Sequence, residues 1–305
     1  MRGANEWICI SKVGRTVPRT PRRVRAFAVP PSAIALVLTA AVLHASWNLL
    51  AKRARDPFAF LWIAVALALV WLVPLALLDD PMSITRALVP LFVSGVVHGV
   101  YFSTLGEAYR AGELSTVYPI ARGLGVGLAP LVAIALEDAW PSRGAALGIA
   151  VIVIAILSLA RAPSTSPSRR ATWLAIATGP LIAIYSVVDH YGVASAEPIP
   201  YLAATNLGAL IVSAPFAWRR RDAMRIEWQT NRRALLMAAT TSLSAYLLVL
   251  FAFRWAEAAY VVAMRETSIV VATLLGRLVL GEIVTRARAV AIVAITVGAT
   301  ILAFA

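Results

Sequence analysis

A single cysteine, Cys9, stands in a chain of 305 residues. It excludes an intramolecular disulfide and a cysteine-based metal site. Lysine is almost missing as well, with Lys12 and Lys52 the only two. Charged residues make up 14% of the chain, where about 25% is usual for a soluble protein. That shortage argues against a soluble globular domain. The apolar–polar alternation of strands is missing, which argues against a β-barrel. There is no phosphate-binding glycine loop, no His-Glu-x-x-His and no paired-Asp motif of metal-dependent lipid enzymes. Gly123-x-Gly125-x-Gly127 follows no strand, so it reads as close helix packing and not as a dinucleotide site. No enzymatic activity, cofactor or metal is expected.

What remains is apolar. The chain is 60% hydrophobic, with a mean hydropathy of +0.80. Ten segments approach the length of roughly 20 residues that a membrane-spanning helix needs, at about 34–51, 57–78, 87–108, 114–136, 144–160, 171–189, 199–217, 234–253, 259–280 and 288–304. In lipid the backbone must satisfy its own hydrogen bonds, so each segment is predicted to be a helix. The net charge of +13 invites a nucleic-acid reading, but its placement argues against one. The basic residues lie in an N-terminal tail and in short loops, where anionic lipid headgroups are the partner.

The tail, residues 1–31, holds Arg2, Lys12, Arg15, Arg19, Arg22, Arg23 and Arg25 against the single acid Glu6. It has no apolar core of a signal peptide. A disordered basic arm, a transit peptide and a start codon assigned too early all stay open.

The last third of the chain repeats its middle. Tyr101, Glu137 and Arg143 recur as Tyr246, Glu282 and Arg288, at a constant offset of 145. Leu147, Ile152 and Leu157 meet Ile292, Val297 and Leu302 at the same offset. The boundary falls in the Pro/Ser-rich stretch 162–170, which gives a first five-helix repeat at 32–161 and a second at 171–305. An odd number of helices per repeat inverts the second relative to the first. The predicted fold is thus an all-α integral membrane protein of ten transmembrane helices in two inverted repeats. Loops after helices 1, 3, 5, 7 and 9 carry most of the basic residues, including Lys52, Arg53, Arg55 and the run Arg219–Arg221. The opposite loops hold only Arg86, Arg143 and Arg254. The positive-inside rule places the first set in the cytoplasm, against the vote of the tail.

Three stretches are specific. Helix 1 ends in His44-Ala-Ser-Trp47-Asn48, with Lys52-Arg53 beyond. Helix 4 opens with Tyr118-Pro119-Ile-Ala-Arg122-Gly123. Helix 9 reads Met264-Arg265-Glu266-Thr267-Ser268 and closes on Gly281-Glu282. With the five-plus-five layout they resemble the EamA family of the drug/metabolite transporter superfamily over residues 33–305. The endings at Glu137 and Glu282 resemble the family's most recurrent mark. Tyr-Pro-x-Ala-Arg-Gly and Arg-Glu-Thr-Ser resemble a bacterial subgroup, some of whose members are associated with phosphonate use. The resemblance implies a multi-pass carrier of small metabolites in the plasma (inner) membrane, often an exporter, working by alternating access.

An ionisable group at the centre of a spanning helix costs about 2.5–3.5 kcal/mol, so each one inside the membrane needs a partner or a cavity. Arg122 lies about 12 Å into helix 4 at 1.5 Å per residue, among Pro119, Gly123, Gly125, Gly127 and Pro130, where a kink or local opening is predicted. Its guanidinium suits an anionic cargo group; the competing reading is an ion pair that staples helices. Arg265 and Glu266 sit at the equivalent depth of helix 9. Both should face inward, since ionised groups facing lipid are too costly. Substrate contacts are expected from Arg122, Arg265, Tyr101, Tyr246, Tyr118, Trp47 and Asn48. Proton coupling is expected from Glu266, Asp189 and His44, with an interfacial helix cap the rival reading for Asp189. His98, lone in helix 3, reads as packing. Glu107 and Arg110, three apart, read as a local pair.

The expected function is a secondary transporter of a small anionic or zwitterionic metabolite, amino-acid-like, carboxylate or phosphonate, coupled to protons and directed towards export. A channel or lipid scramblase is the alternative. A membrane enzyme or scaffold comes after it. The expected partners are the small-molecule substrate, membrane lipids and protons, with a homodimer open and nucleic acid excluded.

Overall fold

The computed structural model describes residues 31–137, 142–161, 168–252, 261 and 264–304. Expectations for residues 1–30, for the boundary stretch 162–167 and for Arg254 fall outside them, as does the side chain of Glu137. Every regular element among the described residues is helical. In order these are α1 (Pro31–Arg53), α2 (Pro57–Leu78), a 3-10 turn (Pro81–Ala87), α3 (Leu88–Ala111), α4 (Leu114–Glu137) and α5 (Arg143–Arg161). The second half continues with α6 (Arg169–Ser195), α7 (Pro198–Trp218), α8 (Arg221–Thr230), α9 (Arg232–Ala252), α10 (Thr267–Leu280) and α11 (Arg286–Phe304). The predicted apolar segments fall on α1 to α7 and α9 to α11. The polar α8 and the 3-10 turn are additions. Among the described residues six helices are long and apolar enough to cross a membrane: α1, α2, α3 with its 3-10 lead-in, α6, α7 and α9. Residues 146–159 of α5 and α10 are shorter apolar helices.

Local chemistry sets the ends. Asp56 caps α2 by accepting from the Ala59 N–H at 2.9 Å, and Pro57 follows, where a missing N–H costs nothing. Ser168 caps α6 through the Ala171 N–H at 3.1 Å. Gly281 ends α10 at φ 70°, a left-handed conformation that glycine enters without strain. The run of α6 to Ser195 corrects the predicted end at 189: Asp189 is interior to the helix and fully buried, not an interfacial cap.

Helices of the first half pack chiefly on helices of the second. α4 lies on α6 and α10 lies on α1; α3 lies on α6 and α7, and α9 lies on α1 and α2; α5 pairs with α11 and α2 with α7. One core cluster is shared by Ala45, Tyr101 and Ile152 from one half and Ile182, Leu235 and Ile295 from the other, and two further clusters, around Leu72 with Tyr201 and Val37 with Val249, also draw on both. The glycines of α4 serve that closeness. A Cβ at Gly125 would stand 2.4 Å from Ile182 Cγ2, and one at Gly123 would stand 3.1 Å from Ile295 Cγ2. α4 itself runs unbroken through Pro119 and these glycines, because a proline in the second turn frees a single carbonyl. The interruption predicted for α4 is found in the stretch leading into α10, where Glu266 forms a turn between Arg265 and Thr267.

Polar ties across the halves gather at one end of the bundle. Glu282 accepts from the Leu114 and Ser115 N–H groups, each at 2.8 Å, and so caps α4 from the other half. Arg288, with no exposed surface, pairs with Glu113 at 2.6 Å. Arg220 pairs with Asp56 at 2.9 Å and with Glu107 at 2.6 Å, over the rings of Phe58 and Phe216. Glu107 also holds Arg110 at 2.9 Å, the local pair expected from their spacing.

Gly106 gives a test of this packing. A Cβ there would lie 2.7 Å from Phe58 Cα, against backbone that cannot rotate away. Gly106→Ala is expected to cost about 1–3 kcal/mol and to lower the melting temperature of the full chain in detergent. An unchanged melting temperature would refute the α2–α3 register.

Candidate functional site

A cavity lies between α1, α2, α3, α6, α7 and α9, with about 60 Å³ open to the centre of a water molecule. A site for one water needs about 10–15 Å³ on this measure, so the space suits several waters or a small solute. Aromatic side chains dominate its wall: Trp47 from α1, Tyr101 and Phe102 from α3, Tyr185 from α6 and Tyr246 from α9. The Tyr185 ring centroid lies 5.4 Å from that of Tyr101 and 6.3 Å from that of Tyr246. His44, His98, Asn206 and Ser242 add polar groups to the wall.

A charged layer adjoins the cavity. Arg122 Nη2 donates to Glu266 Oε1 at 3.0 Å, with the two side chains 4% and 0% exposed. Tyr118 beside them donates to Ser268 Oγ at 2.8 Å. Arg265 is 5% exposed and sets its guanidinium carbon 5.9 Å from the ring centroid of cavity-lining Tyr246. Its Nη2 is buried and has no hydrogen-bond partner among the described residues. On the other side Asp189 accepts from the hydroxyls of Tyr201, at 2.9 Å, and Tyr246. The layer thus holds two guanidinium groups and two carboxyl groups, and among the described residues Arg265 Nη2, Arg122 Nε and Glu266 Oε2 are left without hydrogen-bond partners.

The structure brings most of the residues singled out from sequence to this region. His44, Trp47, Tyr101 and Tyr246 line the cavity, Arg265 touches it through Tyr246, and Arg122, Glu266, Tyr118 and Asp189 form the layers against it. Asn48 is not on the cavity wall. Its amide donates to the His44 carbonyl at 2.7 Å, and its oxygen accepts from Tyr109, so its polar atoms are spent on helix packing. The inward facing of Arg265 and Glu266 follows the energetic argument, while Arg277 of the same segment is exposed at the end of α10.

Three wall residues escaped the sequence reading: His98, Asn206 and Ser242. His98 reads as packing when taken alone, yet it lies one helical turn from Tyr101 and shares its face. The repeat offset was the missed signal. The 145 that relates Tyr101 to Tyr246 also relates His98 to Leu243 and Leu61 to Asn206, and all six line the cavity. Among the described residues no three His, Cys, Asp or Glu side chains gather as a metal site.

Residues 169–304 match the EamA-like transporter family. A solved structure titled only "Crystal structure of protein" is similar, with a TM-score of 0.60 at 18% identity, over 88% of this chain and 96% of that one. At that identity the likeness speaks for the fold alone. No curated protein matches the chain. The apolar helices and the family match together define a multi-pass membrane protein. More narrowly, its second half is similar to the EamA-like transporter family, which is consistent with the drug/metabolite transporter superfamily.

Glu266 offers the sharpest test of the charged layer. Glu266→Gln leaves Arg122 buried without the carboxylate that pairs with it. Breaking a buried pair in this way costs about 3–5 kcal/mol. Tyr118→Phe, which removes one neutral hydrogen bond, is expected to cost about 1 kcal/mol. Unfolding in detergent should rank the two in that order, and equal stability of Glu266→Gln and the parent would contradict the pairing.

Proposed function

We propose that this chain is a secondary transporter of the plasma (inner) membrane that moves a small anionic or zwitterionic metabolite by alternating access. The observation that carries the reading is Arg265: a guanidinium nitrogen buried in an apolar bundle, without a hydrogen-bond partner among the described residues, against the aromatic wall of a cavity. An uncompensated donor of a cationic group is costly in such a place, and a carboxylate or phosphonate supplies the missing acceptor. Arg122 is neutralised by Glu266, so its role is to hold the layer in position and to exchange partners when cargo enters. Asp189, His44 and Glu266 are the groups through which protons would couple to that exchange. Export is the direction that the resemblance favours.

Ten spanning helices in two inverted repeats, 32–161 and 171–305, complete the proposal. The pairing of helices supports it: matching α1–α5 with α6, α7, α9, α10 and α11 in order turns α4-on-α6 into α10-on-α1, and α3-on-α7 into α9-on-α2. A two-fold axis in the membrane plane produces such a swap.

Counterflow in proteoliposomes tests the function. A carrier gives saturable exchange of labelled cargo, found by competition among small carboxylates, amino acids and phosphonates; a channel or scramblase gives flux that neither saturates nor exchanges. Arg265→Ala is expected to reduce exchange at least tenfold, about the value of a charge-assisted hydrogen bond of 1.4 kcal/mol or more. Arg265→Lys should keep part of it. Exchange at the parent rate in Arg265→Ala would refute the site.

A further inference from the structure

His98 sits on the cavity wall and is 6% exposed. Its ring lies against Tyr185 at a centroid separation of 4.2 Å, with Tyr246 at 5.9 Å and Tyr101 at 6.2 Å. Nδ1 is 3.0 Å from the carbonyl oxygen of Ser94 and 3.1 Å from its hydroxyl. A carbonyl oxygen can only accept, so a lone pair on Nδ1 would face another lone pair. The proton therefore belongs on Nδ1. An imidazolium here would add a third cation to Arg122 and Arg265, against two carboxyl groups, in an apolar bundle. The ring is neutral, and Nε2 carries a lone pair.

His44, also on the wall, is the opposite case. The indole Nε1–H of Trp47 stands 3.4 Å from His44 Nδ1. An indole can only donate, so Nδ1 accepts and Nε2 holds the proton. That Nε2 is buried with no partner among the described residues. The wall thus offers one acceptor nitrogen and one unspent donor nitrogen. The fold does not demand the acceptor, because the repeat equivalent of His98 is Leu243, on the same wall.

We propose that His98 Nε2 is a specificity-determining acceptor, which selects cargo bearing an N–H or O–H donor, while His44 Nε2–H and Arg265 take the acceptor end of the same molecule. This rests on the cavity being the cargo site. Cargo without the donor displaces water from Nε2 and leaves its lone pair unpaired. A site built to hydrogen-bond a group rejects the analogue lacking it for that reason.

Two measurements test the assignment. Nitrogen-15 NMR of histidine-labelled protein in lipid nanodiscs, with the His98 signal identified by its loss in His98→Gln, should show the Nδ1–H tautomer. An Nε2–H ring at His98 overturns the proposal. Thermal-shift titration then compares glycolate with acetate and aminomethylphosphonate with methylphosphonate. The donor-bearing member of each pair is expected to bind at least about tenfold tighter. His98→Phe should abolish the difference, and His98→Gln, whose side-chain oxygen accepts, should keep it. Equal binding within each pair, with binding lost in Arg265→Ala, overturns the role of His98 and leaves the transporter site standing. Binding of no probe to the parent protein overturns the cargo-site reading and this proposal with it.

Discussion

A charge inside an apolar bundle needs a partner, and several of the buried ion pairs in this chain join one half to the other. Arg122 of the first half pairs with Glu266 of the second. Glu113 pairs with Arg288, and Asp56 and Glu107 both pair with Arg220. Glu282 reaches back to the open N–H groups at the start of α4. These ties lay the helices of one half against those of the other, and the core clusters draw on both. Hydrophobic burial between apolar helices gains little in lipid, whose tails are as apolar as the side chains. The charge pairs and the glycine contacts of α4 supply the specificity that burial cannot.

Much of this was legible because insertion costs leave few choices. That Arg265 and Glu266 face inward needs only the price of a charge in hydrocarbon, and the helix positions need only the length of apolar runs. Partners were harder. At an offset of 144 Arg122 meets Glu266, and with a two-residue slip it meets Arg265; the sequence alone does not choose. Residues near a two-fold axis meet their own equivalents, and Arg122 pairs with Glu266. Under the proposed inverted repeat this selects the offset of 144. Asp189 was misjudged at the helix level: the polar Asp-His pair resembles an end, yet Tyr201 and Tyr246 donate to the carboxylate and let α6 continue past it to Ser195. His98 was invisible by itself because nothing in sequence tells a packed histidine from one that shares a face with a cavity.

The repeat shapes the cavity and is broken where chemistry is needed. Tyr101 and Tyr246 keep an aromatic pair across the space, as symmetric packing requires. His98 faces Leu243 as its equivalent, and Asn206 faces Leu61. Each of these positions is filled in both halves by a side chain of comparable bulk, but only one of the two can hydrogen-bond. Volume is thus conserved by the duplication while polarity is not. A cavity with equal polar groups on both sides would bind a symmetric solute best; this one has His98 on α3 and His44 on α1 in its wall, with Arg265 behind Tyr246.

The end of the bundle tied by Arg220, Glu107 and Asp56 bears on the proposed mechanism. These side chains are 18%, 12% and 16% exposed, at the edge of the apolar region. Ion pairs that reach water contribute about 0–1 kcal/mol each, since hydration replaces most of what the partner supplied. Apolar surface pulled apart into water would lose about 25 cal/mol for every Å² exposed. At 12–18% exposure the Arg220 pairs keep partial contact with water, so parting them costs less than parting a fully buried pair. Arg288 and Glu113, at 0% and 7% exposed, lack that escape.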